Sequence, residues 1–213
     1  MKLNNNDVPL NVIRRLPRYY RYLGRFAQEG VLRISSEEFA ERMRTSASQI
    51  RQDLNCFGGF GRQGYGYNVR DLREEIARII GIDETNTVII IGAGNIGRAL
   101  ADNISFEKRG CTITGIFDRK TDLWGTVIAG HKVRSDVELP QFCEAQCPKI
   151  AALCIPEESA RSVCETLIAL GVTNFWNFSH FDINVHFDNV NVENVHLGDS
   201  LLTLVYKVNR PQE

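Results

Sequence analysis

The sequence predicts an α/β chain in two parts: a small helical module, then a domain built on a parallel sheet and closed by a separate C-terminal helix. Three observations carry that expectation. The stretch "VIIIGAGNIGRALAD" (88–102) passes from four β-friendly apolar residues through a glycine-rich turn into a helix-like run. Beyond it, apolar strand-like runs alternate with helical ones, the pattern of a parallel sheet. Before it, periodic helices dominate and the charge changes sign: residues 1–80 hold 14 Lys+Arg against 9 Asp+Glu, and residues 81–213 hold 11 against 17. A basic half joined to an acidic half suggests a polyanion partner for the first.

Composition narrows the class. Of 213 residues, 43% are hydrophobic and 24% charged, as in an ordinary globular protein. No apolar run approaches the roughly 20 residues that span a bilayer. The opening "MKLNNNDVPLNVIRR" lacks the apolar core of a signal peptide. The six cysteines (56, 111, 143, 147, 154, 164) are scattered, with no CxxC, and Cys143 and Cys147 have no His or Cys partner at zinc spacing. A cytoplasmic chain with reduced thiols, no metal and no membrane span is expected.

The elements follow in order. "PLNVIRRLPRYYRYLGRFAQEG" (9–30) is helical by period, with Ile13, Leu16, Tyr20 and Leu23 on an apolar face. Arg14, Arg18, Arg21 and Arg25 make a basic stripe beside it. Pro17 must either kink this helix or begin its main part. In "ISSEEFAERMRTSASQIRQDLNCFGG" (34–59), Ser35 and Glu38 form a capping box for a short helix with Phe39, Ala40 and Met43 inward. Arg44-Thr45 is a tight connection, and Ser46 can cap a second helix. There Ala47, Ile50 and Leu54 point inward, while Ser48, Arg51, Gln52 and Asn55 share the opposite face. Two short helices about a short turn are the helix-turn-helix layout. The polar face suits base edges, since Arg forks onto guanine and Gln or Asn onto adenine.

"GGFGRQGYGYNV" (58–69), with five glycines, reads as the hairpin, or wing, of a winged helix. Arg62 and Gln63 fall at its tip, within reach of backbone phosphate or the minor groove. Tyr65 and Tyr67 are expected to pack and anchor the wing. "VRDLREEIARIIGI" (69–82) is an amphipathic helix that closes the module near Gly81.

The second half opens with a GxGxxG that follows a strand and begins a helix, which is the context a dinucleotide fingerprint requires. Gly92 allows the tight turn, Gly94 a close approach to pyrophosphate, and Gly97 the packing of helix on strand. The helix N-terminus then faces the anion. "CTITGIFDRK" (111–120) places Asp118 21 residues after Gly97, where a carboxylate takes the ribose hydroxyls and favours NAD over NADP; Arg119 and Lys120 blur that preference. "KIAALCIP" is a strand ending in Pro156, "EESARSVCETLIALG" a helix, and "VTNFWNFS" and "VNVENVHL" two further strands. This is a Rossmann-like domain, with Asn177-Phe178-Ser179 bordering the cofactor crevice. "GDSLLTLVYKVNR" (198–210) is a helix apolar on more than one side, which a partner subunit could bury.

An NAD enzyme needs a general acid or base beside the nicotinamide. His131, His180, His186 and His196 form no paired catalytic arrangement, and only about 20 residues follow the sheet, too few for a substrate domain. No catalytic residue is assigned. The cofactor then reads as a signal, with the N-terminal module as output. The rival readings are a small NAD-dependent oxidoreductase with an N-terminal interaction domain, and a ligand-sensing regulator on the related CoA-binding layout.

The whole chain resembles the Rex family of bacterial redox-sensing transcriptional repressors. The likeness rests on "RRLPRYYRYL", "ISSEEFAERMRTSASQIRQDLNCFGGFGRQGYGYNV", "GAGNIGRAL", "FD" at 117–118 and "NF" at 177–178. It implies a winged-helix DNA-binding domain over 1–81, a Rossmann NAD(H) domain over 82–197, and a C-terminal helix over 198–213 swapped between subunits of a homodimer. It also implies binding to an inverted-repeat operator in double-stranded DNA, compatible with NAD+ and released by NADH. Carried over by position, Arg14, Ser48, Arg51, Gln52, Arg62 and Gln63 become DNA contacts. Gly92, Ala93, Gly94, Asn95, Ile96, Gly97 and Asp118 hold the dinucleotide, with Arg119, Pro156, Asn177 and Phe178 at neighbouring strand ends. Two positions depart from the family: Ser179-His180 stands where Ala-Pro is common, and His196 where an acid commonly precedes the swapped helix.

Overall fold

The computed structural model describes residues 8–58, 60 and 65–210 and divides into two compact units, Met1–Asp83 and Glu84–Glu213. The first unit contains α1 (Leu10–Ile13), α2 (Leu16–Gln28), β1 (Arg33–Ile34), α3 (Ser36–Met43), α4 (Ala47–Asn55), β2 (Tyr67–Asn68) and α5 (Val69–Ile80). Pro17 occupies the first turn of α2 and so begins the main helix, where its missing N–H costs nothing. The face that is buried is Val12, Leu16, Tyr19, Leu23 and Phe26, at strict 4,3,4,3 spacing. Ile13 and Tyr20, expected on it, are half-buried instead. Aromatic packing sets this rotation: Phe39 meets Tyr19 at 5.7 Å and Phe26 at 5.6 Å, both edge-on.

Caps set the helix limits. Ser35 Oγ accepts from Glu38 N at 3.0 Å and Ser46 Oγ from Gln49 N at 3.2 Å, each cap contributing about 1 kcal/mol. Between them Arg44 turns the chain in the left-handed region (φ 52°). β1 and β2 pair antiparallel, Ile34 opposite Tyr67. Gly66 makes that approach possible, since a Cβ there would lie 2.6 Å from the Ile34 carbonyl oxygen. Tyr67 packs on the helical core as expected, but Tyr65, which lies in the turn before β2, does not: it is 71% exposed, and its carbonyl accepts from Arg33 Nη1 at 3.2 Å. The wing-tip residues Arg62 and Gln63 lie outside the described residues.

The second unit contains β3 (Asn86–Ile91), α6 (Asn95–Asn103), β4 (Cys111–Asp118), β5 (Val127–Ile128), β6 (His131–Ser135), α7 (Leu139–Gln146), β7 (Ile150–Leu153), α8 (Glu157–Ala169), β8 (Asn174–Asn177), α9 (Ile183–His186), β9 (Asn191–Asn194) and α10 (Leu197–Val208). Seven strands make one sheet in the order β5-β6-β4-β3-β7-β8-β9. It is parallel except at one edge, so the sheet is mixed rather than purely parallel. There β5 and β6 form an antiparallel hairpin, because Ala129 (φ 47°) and Gly130 (φ 82°) turn the chain within two residues.

Residues of the central strand β3 alternate between two apolar clusters. Ile89 and Ile91 join Phe117, Leu139, Leu153 and Leu167 on one face, with α7 and α8. Val88 and Ile90 join Ala101, Ile116 and Val133 on the other, with α6. In register, Ile91 lies beside both Phe117 and Leu153, so the C-terminal ends of β3, β4 and β7 stop level. That shared edge is where a crevice opens.

Candidate functional sites

The crevice at this edge measures about 540 Å³. Gly92, Gly94, Asn95 and Ile96 line one side, Asp118 and Arg119 another, and Pro156, Ser159, Phe178, Ser179 and His180 the rest. Two glycines are required here for space. A Cβ on Gly92 (φ 100°) would lie 2.4 Å from the Cys154 carbonyl oxygen, and one on Gly97 would lie 1.9 Å from the Gly92 carbonyl oxygen. Gly94 has nothing within 4 Å of its Cβ position, which leaves room for a close approach. No side chain caps α6, so its leading N–H groups at the positive end of the helix dipole are not taken up by a capping side chain.

Asp118 is pinned at the end of β4: Oδ2 accepts from Ala93 N at 2.7 Å and Oδ1 from Lys120 N at 2.8 Å. Arg119 donates to Ser159 Oγ at 2.9 Å and so ties the end of β4 to the start of α8. Ala93 and Gly97 are buried behind the lining, and Ala93 contributes its backbone N–H to Asp118. Asn177 departs from the expected placement. Its side chain is fully buried, with Nδ2 donating to the Phe181 carbonyl (2.9 Å) and to Asn194 Oδ1 (2.8 Å). Its Oδ1 accepts from Ser179 N and Oγ. A polar side chain at a strand end satisfied itself inward, and it shapes the loop of Phe178, Ser179 and His180 rather than lining the crevice.

From that loop the His180 ring lies 5.5 Å from the His196 ring. His196 is the N-terminal flanking residue of α10, with Nδ1 3.4 Å from Asp199 Oδ2. Burial pushes the thiols of Cys154, on the crevice wall, and Cys164 up to about 12, so both stay protonated. Among the described residues no three His, Cys, Asp or Glu side chains gather to hold a metal, and no helix is long and apolar enough to cross a membrane.

In the first unit, Ser48, Arg51, Gln52 and Asn55 stand exposed along α4, and Arg14 is exposed at the end of α1. Behind α4 lies a polar network that sequence reasoning missed. Asp53, 1% exposed, receives Arg15 Nε at 2.6 Å and Nη2 at 2.7 Å, the Tyr19 hydroxyl at 2.6 Å and Gln49 Nε2 at 2.9 Å. Burial opposes its charge, but hydrogen bonds from Arg15, Tyr19 and Gln49 outweigh burial and hold its carboxyl below the usual range. The network fixes α4 to α2. The signal was present in the sequence: an acid at inward spacing, three residues after Ile50 and next to Leu54.

Known proteins match both units. Residues 7–55 fit a family model described as a putative DNA-binding protein N-terminus, and residues 83–181 one described as a CoA binding domain. A redox-sensing transcriptional repressor Rex of Clostridium novyi (strain NT) is 49% identical over 203 residues, covering 95% of this chain and 96% of its own. The crystal structure of RSP in complex with β-NAD+ and operator DNA matches with a TM-score of 0.89 at 48% identity, over 95% of this chain and 93% of that one. The crystal structure of RSP in complex with β-NADH matches with a TM-score of 0.86 at 45% identity, over 95% of each chain.

Proposed function

The chain belongs to the Rex family of redox-sensing transcriptional repressors, and from that premise we propose how its residues sense the dinucleotide and hold the operator. It is a regulator, not an enzyme, with NAD+ and NADH as effector ligands. One observation carries the assignment of the sensing site. The level strand ends, the uncapped α6 and the pinned Asp118 make one continuous wall.

The pyrophosphate rests on the N–H groups from Gly94 to Gly97, where charge, dipole and open space coincide. Asp118 takes the adenosine ribose hydroxyls, and Arg119 and Pro156 border that half. The nicotinamide half reaches Phe178 and His180, which Asn177 positions from behind. In the other unit, Ser48, Arg51 and Gln52 present hydrogen-bonding groups to base edges, while Arg14, Arg62 and Gln63 hold backbone. α10 pairs two copies, so that two α4 helices address the two halves of an inverted repeat. The protein works in the cytoplasm, without metal or membrane.

The CoA-domain match keeps a second ligand in the test, because that layout shares the same phosphate-binding turn. Fluorescence anisotropy of a labelled palindromic operator, titrated with NADH at fixed NAD+ and separately with acyl-CoA, decides between them. Release by NADH with no response to acyl-CoA is expected. Operator affinity indifferent to both dinucleotides would overturn the reading.

A further inference from the structure

Arg51 is not a free side chain on the exposed face of α4. Its Nη1 donates to Ser36 Oγ at 2.7 Å and to Glu37 Oε1 at 2.8 Å. The Ser36 hydroxyl in turn donates to Glu37 Oε2 at 3.1 Å, which closes a ring of three side chains across the first turn of α3. Ser36 is buried, whereas the Glu37 side chain is largely exposed. Its own backbone N–H, then Ser36 and Arg51, hold the Glu37 carboxyl below the usual range, so it is charged whenever the protein meets DNA. Tyr67 of β2 stands close enough to feel both charges, so the guanidinium sits where α3, α4 and the wing strand meet.

A carboxylate in that place needs an explanation. It opposes the approach of phosphates, and an exposed ion pair does little for stability. An acid in the first turn of a helix suits the dipole, but that would be true without the ring. What the ring does is commit one end of Arg51. Both of its side-chain hydrogen bonds use Nη1; among the described residues its Nε–Nη2 edge makes none. That edge is a two-donor fork of the kind that matches guanine O6 and N7.

We propose that Glu37, with the Ser36 hydroxyl, is a specificity-determining positioning residue: it holds Arg51 by Nη1 so that the Nε–Nη2 edge reads a base, and its charge keeps the guanidinium from settling on phosphate. The proposal rests on the reading of Arg51 as a base contact. It separates specificity from affinity, because removing the acid should strengthen binding to any DNA while weakening the choice among sequences.

The test uses the full-length protein and a palindromic duplex selected by that protein from a randomised pool. Single-position exchanges in each half-site and a scrambled duplex, at one salt concentration, complete the set. Glu37→Gln is expected to raise affinity for the scrambled duplex and to lower discrimination at one half-site position about tenfold, within the range of one bidentate base contact. Glu37→Asp keeps the charge and the helix dipole but shortens the reach. It should lose the same discrimination without gaining scrambled-duplex affinity, a pattern that a merely structural role would not give. Melting temperatures of both variants, expected to match the natural protein, report folding. Arg51→Ala is the control beneath the proposal and should abolish discrimination at the same position. If Arg51→Ala does so while both Glu37 variants keep the natural ratio, the positioning role is overturned and the base contact stands. If Arg51→Ala alters discrimination at no position, the base contact fails and the positioning role falls with it.

Discussion

Asp53 puts a carboxylate inside the N-terminal unit, and the unit is built around keeping it charged. Removing it with Asp53→Ala leaves Arg15 and the Tyr19 hydroxyl facing an apolar gap, at a cost of about 3 kcal/mol. Because its folded carboxyl titrates below the ordinary 3.8, the stability it contributes is present above that value and lost as pH falls through the folded value. The natural protein should therefore weaken below about pH 4, and Asp53→Asn should flatten that limb. Both tryptophans, Trp124 and Trp176, lie in the other unit, so amide exchange in α2 and α4 is the measurement to use. Exchange that Asp53→Ala leaves unchanged would show the network to be dispensable. Asp118 differs in that its spacing from Gly97 alone singles it out as a candidate, whereas spacing marks Asp53 as inward but cannot name a partner 38 residues away. Asp118→Ala should weaken NADH binding by about 1–3 kcal/mol, as for a hydrogen-bonded charge, and narrow the gap between NADH and NADPH. Isothermal titration that finds both affinities unchanged would remove Asp118 from the ribose.

Among the elements, the turn from β3 into α6 is the one that sequence defined most fully, because its glycines answer to hard collisions. At Gly97 the obstacle is the Gly92 carbonyl, 1.9 Å from a Cβ, and backbone cannot swing aside as a side chain can. Gly97→Ala should lower the stability of the second unit by about 3 kcal/mol, the upper range for overpacking, and abolish measurable NADH binding. Amide exchange in the first unit should not change. A variant that binds NADH normally would mean the turn relaxes freely. The helix caps Ser35, Ser46 and Asn68 were or could have been read in the same local way. The β5–β6 hairpin could not: each arm offers few apolar residues, and Ala129 is an unusual residue for φ > 0, held there by pairing that only the folded sheet supplies. The inward turn of Asn177 is of the same kind, since its partners Phe181 and Asn194 come from two later segments.

For the whole molecule, the decisive element is the one that the single chain leaves uncovered. α10 has no buried residue, and Leu197, Leu201, Leu202, Leu204, Val205, Tyr206 and Val208 are 44–74% exposed. At 100° per residue these seven side chains spread over an arc of about 200°, with Asp199, Ser200, Thr203 and Lys207 on the remaining side, so a neighbour touching one line of the helix would leave much of that arc wet. Insertion into a second copy would cover that arc, and at about 1.5–3 kcal/mol per side chain that would be enough to hold a dimer at low concentration. The sequence announced this helix by apolar residues on more than one side, but only the structure shows that its own domain does not cover it. Truncation after Gly198 should therefore give monomers or aggregates in sedimentation. Operator affinity should collapse with the dimer, since each monomer then binds one half-site without the high effective concentration that its partner supplies. NADH titration of the same variant tells loss of pairing from loss of folding, because every residue lining the crevice precedes the cut. A truncated protein that still sediments as a dimer would place the interface elsewhere. The symmetry of the operator complex would then have to come from the winged-helix units themselves.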